Sequence, residues 1–172
     1  MPELPEVETT LRGLQPVLDA SPLTRIESRA PRLRYPLPQV VLANPVRVEQ
    51  AWRRSKYIIL DLANSHSCLI HLGMSGRLVQ NQPPAKHDHV LLHFADGQHI
   101  TLNDPRRFGM FLYEPTEHMH THKLLVNLGP EPLSAAFTSA YLYSQLKKRG
   151  SAIKTALMDA KLVVGVGNIY AN

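Results

Sequence analysis

The sequence predicts an α+β fold: a helix at the N-terminus, then a β-sandwich or barrel, then a short helical region. Three observations predict it. Apolar residues recur at helical spacing over residues 5–19. The period then falls to that of strands between about 22 and 113, and from about 115 the character changes again.

In the first helix Val7, Leu11, Leu14 and Leu18 share one face. Pro5 suits its first turn, where a missing N–H costs nothing, and Pro16 is expected to kink or end it. Strands are expected at residues 23–29, from 46 onward, and at 57–62, 68–72, 90–94, 98–102 and 110–113. Asp96-Gly97 between the fifth and sixth of these is a strong hairpin signal. Six or more short strands with little helix between them argue for a sandwich or a barrel. Residues 1–115 thus read as one domain. Residues 116–134, polar at first and then rigid at Gly129-Pro130-Glu131-Pro132, read as a linker. A helix is expected at 139–149, stopped by Gly150, and another at 152–161 with Ile153, Ala156, Leu157 and Ala160 on one face. Gly165-Val166-Gly167-Asn168 resembles a tight turn opening a third helix.

The chain of 172 residues has room for one large domain, or for one and part of a second, and its 44% apolar content allows a real core. The net charge of +5 is unevenly spread: residues 1–20 sum to −3 and the rest to +8. A basic body favours polyanionic partners, nucleic acid first and anionic membrane second. Cys68 is the sole cysteine, which excludes an intrachain disulfide and suits a reducing, cytoplasmic compartment. No secretion signal opens the chain and no apolar run approaches membrane-spanning length.

Several stretches carry chemistry. Pro2 stands directly behind Met1, and removal of Met1 makes it the N-terminus. A terminal amine has a reference pKa of about 7.7–8.0, against about 10.4 for lysine, so far more of it is unprotonated at neutral pH. Its attack on an aldehyde-like carbon gives an iminium, and Glu3 and Glu6 follow at once to move protons. Read alone, the same residues are a helix lead-in whose acids complement the helix dipole. Arg53-Arg54-Ser55-Lys56 is either a phosphate-binding cluster at a sheet edge or an edge guarded by charge. Met74 lies in a loop with two glycines, and Arg106 and Phe108 lie in another; these are either a wedge that unstacks bases or ordinary core residues. His87 and His89 fall on opposite faces of an extended segment, and His118, His120 and His122 form a polar run, so no metal site is expected. The turn at Gly165 to Asn168 offers backbone N–H groups to a phosphate but lacks the rest of a nucleotide fingerprint.

Taken together, MPELPEVET, RRSKY, HLGMSG, KHDHV, DPRRFG, LGPEPL, AIKTALMD and VVGVGNIYAN resemble the formamidopyrimidine-DNA glycosylases, in order and from residue 2 to the last residue. The resemblance implies a two-sheet β-sandwich behind the N-terminal helix, followed from residue 135 by the start of an all-helical helix–two-turns–helix DNA-binding domain. It implies a monomeric base-excision enzyme of the bacterial cytoplasm and nucleoid that flips out oxidised purines such as 8-oxoguanine from double-stranded DNA, excises them and then cleaves the strand by β- and δ-elimination. Pro2 would be the nucleophile at the sugar C1′, Glu3 the general acid at the sugar ring, Glu6 a proton relay, and Lys56 a DNA contact assigned to β-elimination. Met74, Arg106 and Phe108 would fill the gap left by the extruded nucleotide, with Arg106 facing the orphaned base. His71, His87, Lys154 and Asn168 would contact the DNA backbone.

Relatives in this family continue past the point reached here, into a zinc finger of four cysteines whose arginine is assigned to δ-elimination. The expectation is therefore a truncated, impaired form with no cofactor among these residues and no ligands for the family's zinc. A non-catalytic lesion-sensing module and an endonuclease VIII-like enzyme for oxidised pyrimidines are the competing readings.

Overall fold

A computed structural model describes residues 1–172. Helix α1 (Leu4–Ala20) buries Val7, Leu11, Leu14, Val17 and Leu18. It does not stop at Pro16 but runs four residues beyond it. Pro16 and Arg12, whose carbonyl loses its helical partner, both face solvent, so water satisfies the freed oxygen.

Eight strands follow: β1 (Leu23–Ser28), β2 (Val48–Arg54), β3 (Tyr57–Leu62), β4 (His66–His71), β5 (Arg77–Gln80), β6 (Asp88–Phe94), β7 (His99–Asn103) and β8 (Met110–Pro115). They form two antiparallel four-stranded sheets, in the orders β1-β6-β7-β5 and β2-β3-β4-β8. The fold is thus a sandwich rather than a barrel. Its core takes Ile58, Leu60 and Leu62 from β3, Cys68 and Ile70 from β4, Val90, Leu92 and Phe94 from β6, and Ile100 and Leu102 from β7. Helix α1 packs on β2, β3 and β5, closing the side between the two edge strands. Strand β5 has no counterpart in the sequence-based expectation. Four residues at a sheet edge, with only Leu78 and Val79 apolar, leave no readable alternation.

The alternate residues of β3 and β4 explain why both strands read as continuous apolar runs. Ile59 and Leu69 point away from the sandwich and form a second buried cluster with Met119 and Leu125, flanked by Trp52, Tyr57, Leu112, Leu124 and Leu128. Residues 116–134, expected to be a linker, therefore begin as a cover over the outer face of the second sheet. The cover starts in a 3-10 turn (Thr116–His118), held where the Ser67 hydroxyl meets both Asp61 Oδ1 (2.6 Å) and Thr116 Oγ1 (2.8 Å).

The helical region is also shorter than expected. Helix α2 (Ser139–Lys147) begins where Thr138 Oγ1 accepts the Tyr141 N–H, and its last turn closes on Lys148 rather than at Gly150. Helix α3 (Ile153–Leu157) stops early because Asp159 takes the Lys161 N–H (2.9 Å) and the Arg149 guanidinium (2.8 Å), competing with the helical ladder. Residues 168–171 make a single turn, closed by Ala171 N–H on the Gly167 carbonyl, where the sequence predicts that a third helix opens. Ala156, Leu162 and Val163 form a small third cluster, while Tyr143, Ile153, Ile169 and Tyr170 remain exposed. No helix is long and apolar enough to cross a membrane.

Met119 is fully buried against the sheet. Met119→Ala is therefore expected to lower the unfolding free energy by about 2–5 kcal/mol, with the far-ultraviolet spectrum unchanged. The urea midpoint measures it, and an unchanged midpoint would show that the cover does not form.

Candidate functional site

The first cluster is built on the start of α1. Glu3, its N-cap, is 1% exposed. Its carboxylate accepts backbone N–H groups from Gly167 (2.7 Å), Ile169 (2.8 Å) and Tyr170 (3.3 Å), and the Leu4 N–H donates to the Gly165 carbonyl (3.0 Å). A Cβ on Gly167 would lie 2.7 Å from both the Glu3 carboxyl carbon and Oε1, so only glycine fits this approach. The glycine turn expected to hold a phosphate thus holds an anion already, and that anion is a side chain of the same protein. Asn168, exposed at the tip of the turn, leaves its side chain unbonded within the chain. Burial pushes the Glu3 pKa up, but three N–H donors and the Lys56 ammonium outweigh it, leaving the group below its ordinary 4.5 and ionised. Glu6 accepts the Glu3 N–H (3.0 Å) through one oxygen and the Tyr170 hydroxyl (3.0 Å) through the other. Pro2 is half-buried beside this network.

Lys56 reaches the same cluster from the two-residue turn between β2 and β3, where Ser55 adopts φ +55°. Burial draws the Lys56 pKa below its ordinary value, while the charges of Glu3 and Glu6 pull it back part of the way. The neighbouring arginines play another part. Arg53 donates to Glu8 (2.9 Å) and Glu131 (2.7 Å), and Arg54 to Glu131 (3.0 Å) and to the carbonyls of Leu128 and Gly129. Glu131 also accepts the Ser55 N–H (2.7 Å). The basic cluster, open in the sequence to phosphate binding or to guarding an edge, is therefore consumed internally, apart from Lys56. Glu131 is the residue that sequence reasoning missed. Its signal was an acid in the LGPEPL stretch with arginines elsewhere to receive it.

The second cluster is made by the loops at residues 72–76 and 104–109. Met74 is 40% exposed and Phe108 48%, so neither is a core residue. The Arg106 guanidinium lies over the Phe108 ring, 5.1 Å from its centre. The loops meet backbone to backbone: a Cβ on Gly73, at φ +62°, would sit 2.5 Å from the Phe108 carbonyl carbon. His71 lies between the clusters. Burial first, then Lys56 and Arg34, push its pKa down to about 4. Its Nδ1 accepts the Gly73 N–H (3.0 Å), which places the proton of the neutral ring on Nε2.

Of the remaining candidates, His87 adjoins the second cluster through its backbone. His87, at φ +72°, passes its carbonyl to the Asp104 N–H (3.0 Å), while His89 is buried against the Asp104 carbonyl. Lys154, on α3, bonds Asn172. His120 stacks on Trp52 and His122 accepts the Leu124 N–H, and no three His, Cys, Asp or Glu side chains converge into a metal-binding group. The four-cysteine zinc site of the family has no fit among these residues. Cys68 is alone, fully buried in β4, and its thiol is pushed up to about 12 by burial and by Asp61.

Comparison with known proteins places these clusters in context. The model of the formamidopyrimidine-DNA glycosylase N-terminal domain matches residues 1–111, and that of the formamidopyrimidine-DNA glycosylase H2TH domain matches residues 128–172. A formamidopyrimidine-DNA glycosylase of Cereibacter sphaeroides is 47% identical over 99% of this chain, which spans 65% of that relative's length. The Lactococcus lactis enzyme bound to DNA containing an AP site superposes with a TM-score of 0.83 at 32% identity, covering 98% of this chain and 66% of that one. The same enzyme on DNA containing FAPY-dG gives 0.83 at 30% identity, with 98% and 65% covered.

Two outcomes follow from the geometry. Glu3 has a folded pKa below its unfolded one, so its contribution is complete above about pH 4.5 and is lost as pH falls through the folded value. Glu3→Gln should be less stable than wild type at pH 7, with the gap narrowing at pH 3; denaturant titrations at both pH values decide, and a constant gap counts against the anion-holding turn. Glu131→Gln should cost roughly 1.5–3 kcal/mol in the same assay, the worth of a hydrogen bond to a charged partner.

Proposed function

The chain belongs to the formamidopyrimidine-DNA glycosylase family, and on that premise we propose that it is a bifunctional glycosylase and AP lyase acting on oxidised purines in duplex DNA. The observation that carries the reading is Glu3: a buried, ionised carboxylate fixed directly beside Pro2 in the sequence, with the Lys56 ammonium nearby. With Met1 attached, the Pro2 nitrogen is a tertiary amide and has no lone pair for attack. Met1 is half exposed, within reach of removal.

The chemistry then runs on the two protons of the Pro2 ammonium. The Pro2 ammonium must lose a proton before its lone pair attacks C1′, and Glu3, ionised at rest, is the base next to it. Attack breaks the bond from C1′ to the damaged base, which leaves with its electron pair and takes the second proton from the now positively charged nitrogen, restoring the nitrogen lone pair. Glu3 returns its proton to the sugar ring oxygen as the C1′–O4′ bond opens, and the nitrogen lone pair completes the iminium. Glu3 is in this account a relay rather than a proton store, which its low pKa suits. Its negative charge also favours the iminium electrostatically. Lys56, half-buried and unbonded within the chain, contacts DNA beside the lesion and serves the β-elimination that follows. Glu6 holds the register between the Glu3 N–H and Tyr170.

Extruding a nucleotide costs a few kcal/mol of stacking and pairing. Met74, Arg106 and Phe108 supply the matter that fills the gap, and the donor fork of Arg106 faces the acceptors of an orphaned cytosine. His71, His87, Lys154 and Asn168 contact phosphates, and Arg34 and Arg107 add positive charge near His71 and His89. The Lactococcus relative's complexes with AP-site and FAPY-dG DNA support the substrate class.

Borohydride trapping on duplex DNA with 8-oxoguanine opposite cytosine tests the proposal. The protein with Met1 removed, checked by N-terminal mass spectrometry, should form a covalent adduct, and Glu3→Gln should slow it by about 10²-fold or more. Salt-dependent DNA binding without an adduct would instead make it a non-catalytic lesion-sensing module. Faster reaction with thymine glycol than with 8-oxoguanine would move it to the oxidised-pyrimidine enzymes.

A further inference from the structure

The wedge is carried by two loops rather than by a strand or helix, so its rigidity needs a source. We propose that Asp104 is the positioning residue that locks Met74, Arg106 and Phe108 into one unit; the inference rests on the wedge reading above. Asp104 is fully buried. No cation pairs with it, a costly state for a carboxylate unless its oxygens are bonded. They are bonded across both loops. One oxygen accepts the Ser75 hydroxyl (2.7 Å) and the other accepts the Gly109 N–H (2.8 Å). Ser75 Oγ in turn accepts the Arg106 N–H (3.0 Å). The two arms therefore grip the chain on either side of Phe108, at Arg106 and at Gly109, while holding the residue next to Met74.

The backbone of Asp104 extends the grip. Its N–H donates to the His87 carbonyl (3.0 Å), and its own carbonyl accepts the Arg107 N–H (3.3 Å) and lies 3.0 Å from His89 Nε2. Three segments converge on one residue that presents nothing to solvent. An apolar side chain would fill this space at less desolvation cost but would leave the Ser75 hydroxyl and the Gly109 N–H without directional partners. A wedge works only if its parts arrive together. Phe108 advancing without Met74 opens the stack without filling the gap, and Arg106 tilted by a fraction of an ångström misses the orphaned base. Asp104 thus governs base extrusion and the choice of opposite base, and it has no part in the proline chemistry.

That division is testable, because an abasic site has no base to extrude. Asp104→Asn keeps the size but offers one acceptor oxygen where two donors converge, and Ser75→Ala cuts the same link from the other side. Both should lower single-turnover excision of 8-oxoguanine opposite cytosine by about 10–100-fold, the scale of an ångström-level misplacement. Both should weaken discrimination between cytosine and adenine opposite the lesion, and both should leave borohydride trapping at a preformed abasic site nearly unchanged. The double variant should lose little more than either single one, as for residues acting through one link. Ser75 is partly exposed, so Ser75→Ala keeps the test open if Asp104→Asn folds poorly. Equal losses on both substrates, or no loss on either, overturn the role of Asp104 while the enzyme reading stands. A wild-type protein inert on both substrates overturns the enzyme reading and this inference together.

Discussion

The contact on which the rest depends joins residues 164 apart in sequence: the carboxylate of Glu3 and the backbone N–H of Gly167. Chain termini usually fray unless something ties them down. Here Glu3, the residue directly before α1, is buried, ionised and held by three amides, and the Leu4 N–H on Gly165 closes the same joint. Because α1 closes the sandwich between β2 and β5, fixing its first turn also fixes Pro2 against the body of the fold. The C-terminal turn gains as much from the contact, since three of its N–H groups find their partner in the Glu3 carboxylate.

Glu131 and Asp104 repeat the device elsewhere. Each is a carboxylate turned inward, accepting a backbone N–H from a loop that carries a working group. Glu131 takes Ser55 and so sets the turn that presents Lys56; Asp104 takes Gly109 and so sets the loop that presents Arg106 and Phe108. The presented groups keep free side chains: Lys56 makes no side-chain hydrogen bond within the chain, and Arg106 rests only on the face of Phe108. Rigid mounts under uncommitted side chains are what a site needs if it is to close on DNA without first breaking its own contacts.

Much of this was legible locally. The helix beginning near Pro5, the strand at Tyr57–Leu62 and the Asp96-Gly97 connection stand where their periods and turn residues put them, because each is decided by neighbours within a few positions. The misses have physical reasons. Pro16 breaks helices when its freed carbonyl is buried, and here that carbonyl faces water. The stretch after Pro115 looks like a linker because histidines and charges surround Met119 and Leu125, the two residues that do the covering. Nothing in those residues says that the outer face of β3 and β4 is apolar and needs a lid.

The sequence by itself determined the family-bearing residues: the proline with its two glutamates, the lysine before Tyr57, the exposed-looking Met74, and the arginine and phenylalanine of the second loop. It also determined most of the strands, while leaving sandwich or barrel open. Only the tertiary structure decided which charges are free. Arg53, Arg54 and Lys56 read as one basic cluster, yet two of the three spend their charge on Glu8 and Glu131. The glycine turn at Gly165–Gly167 read as a seat for phosphate, yet Glu3 already sits in it. Local pattern records what a residue is able to bind. Which partner reaches it first is set by long-range packing, and in this fold the partners lie between 45 and 164 residues away along the chain.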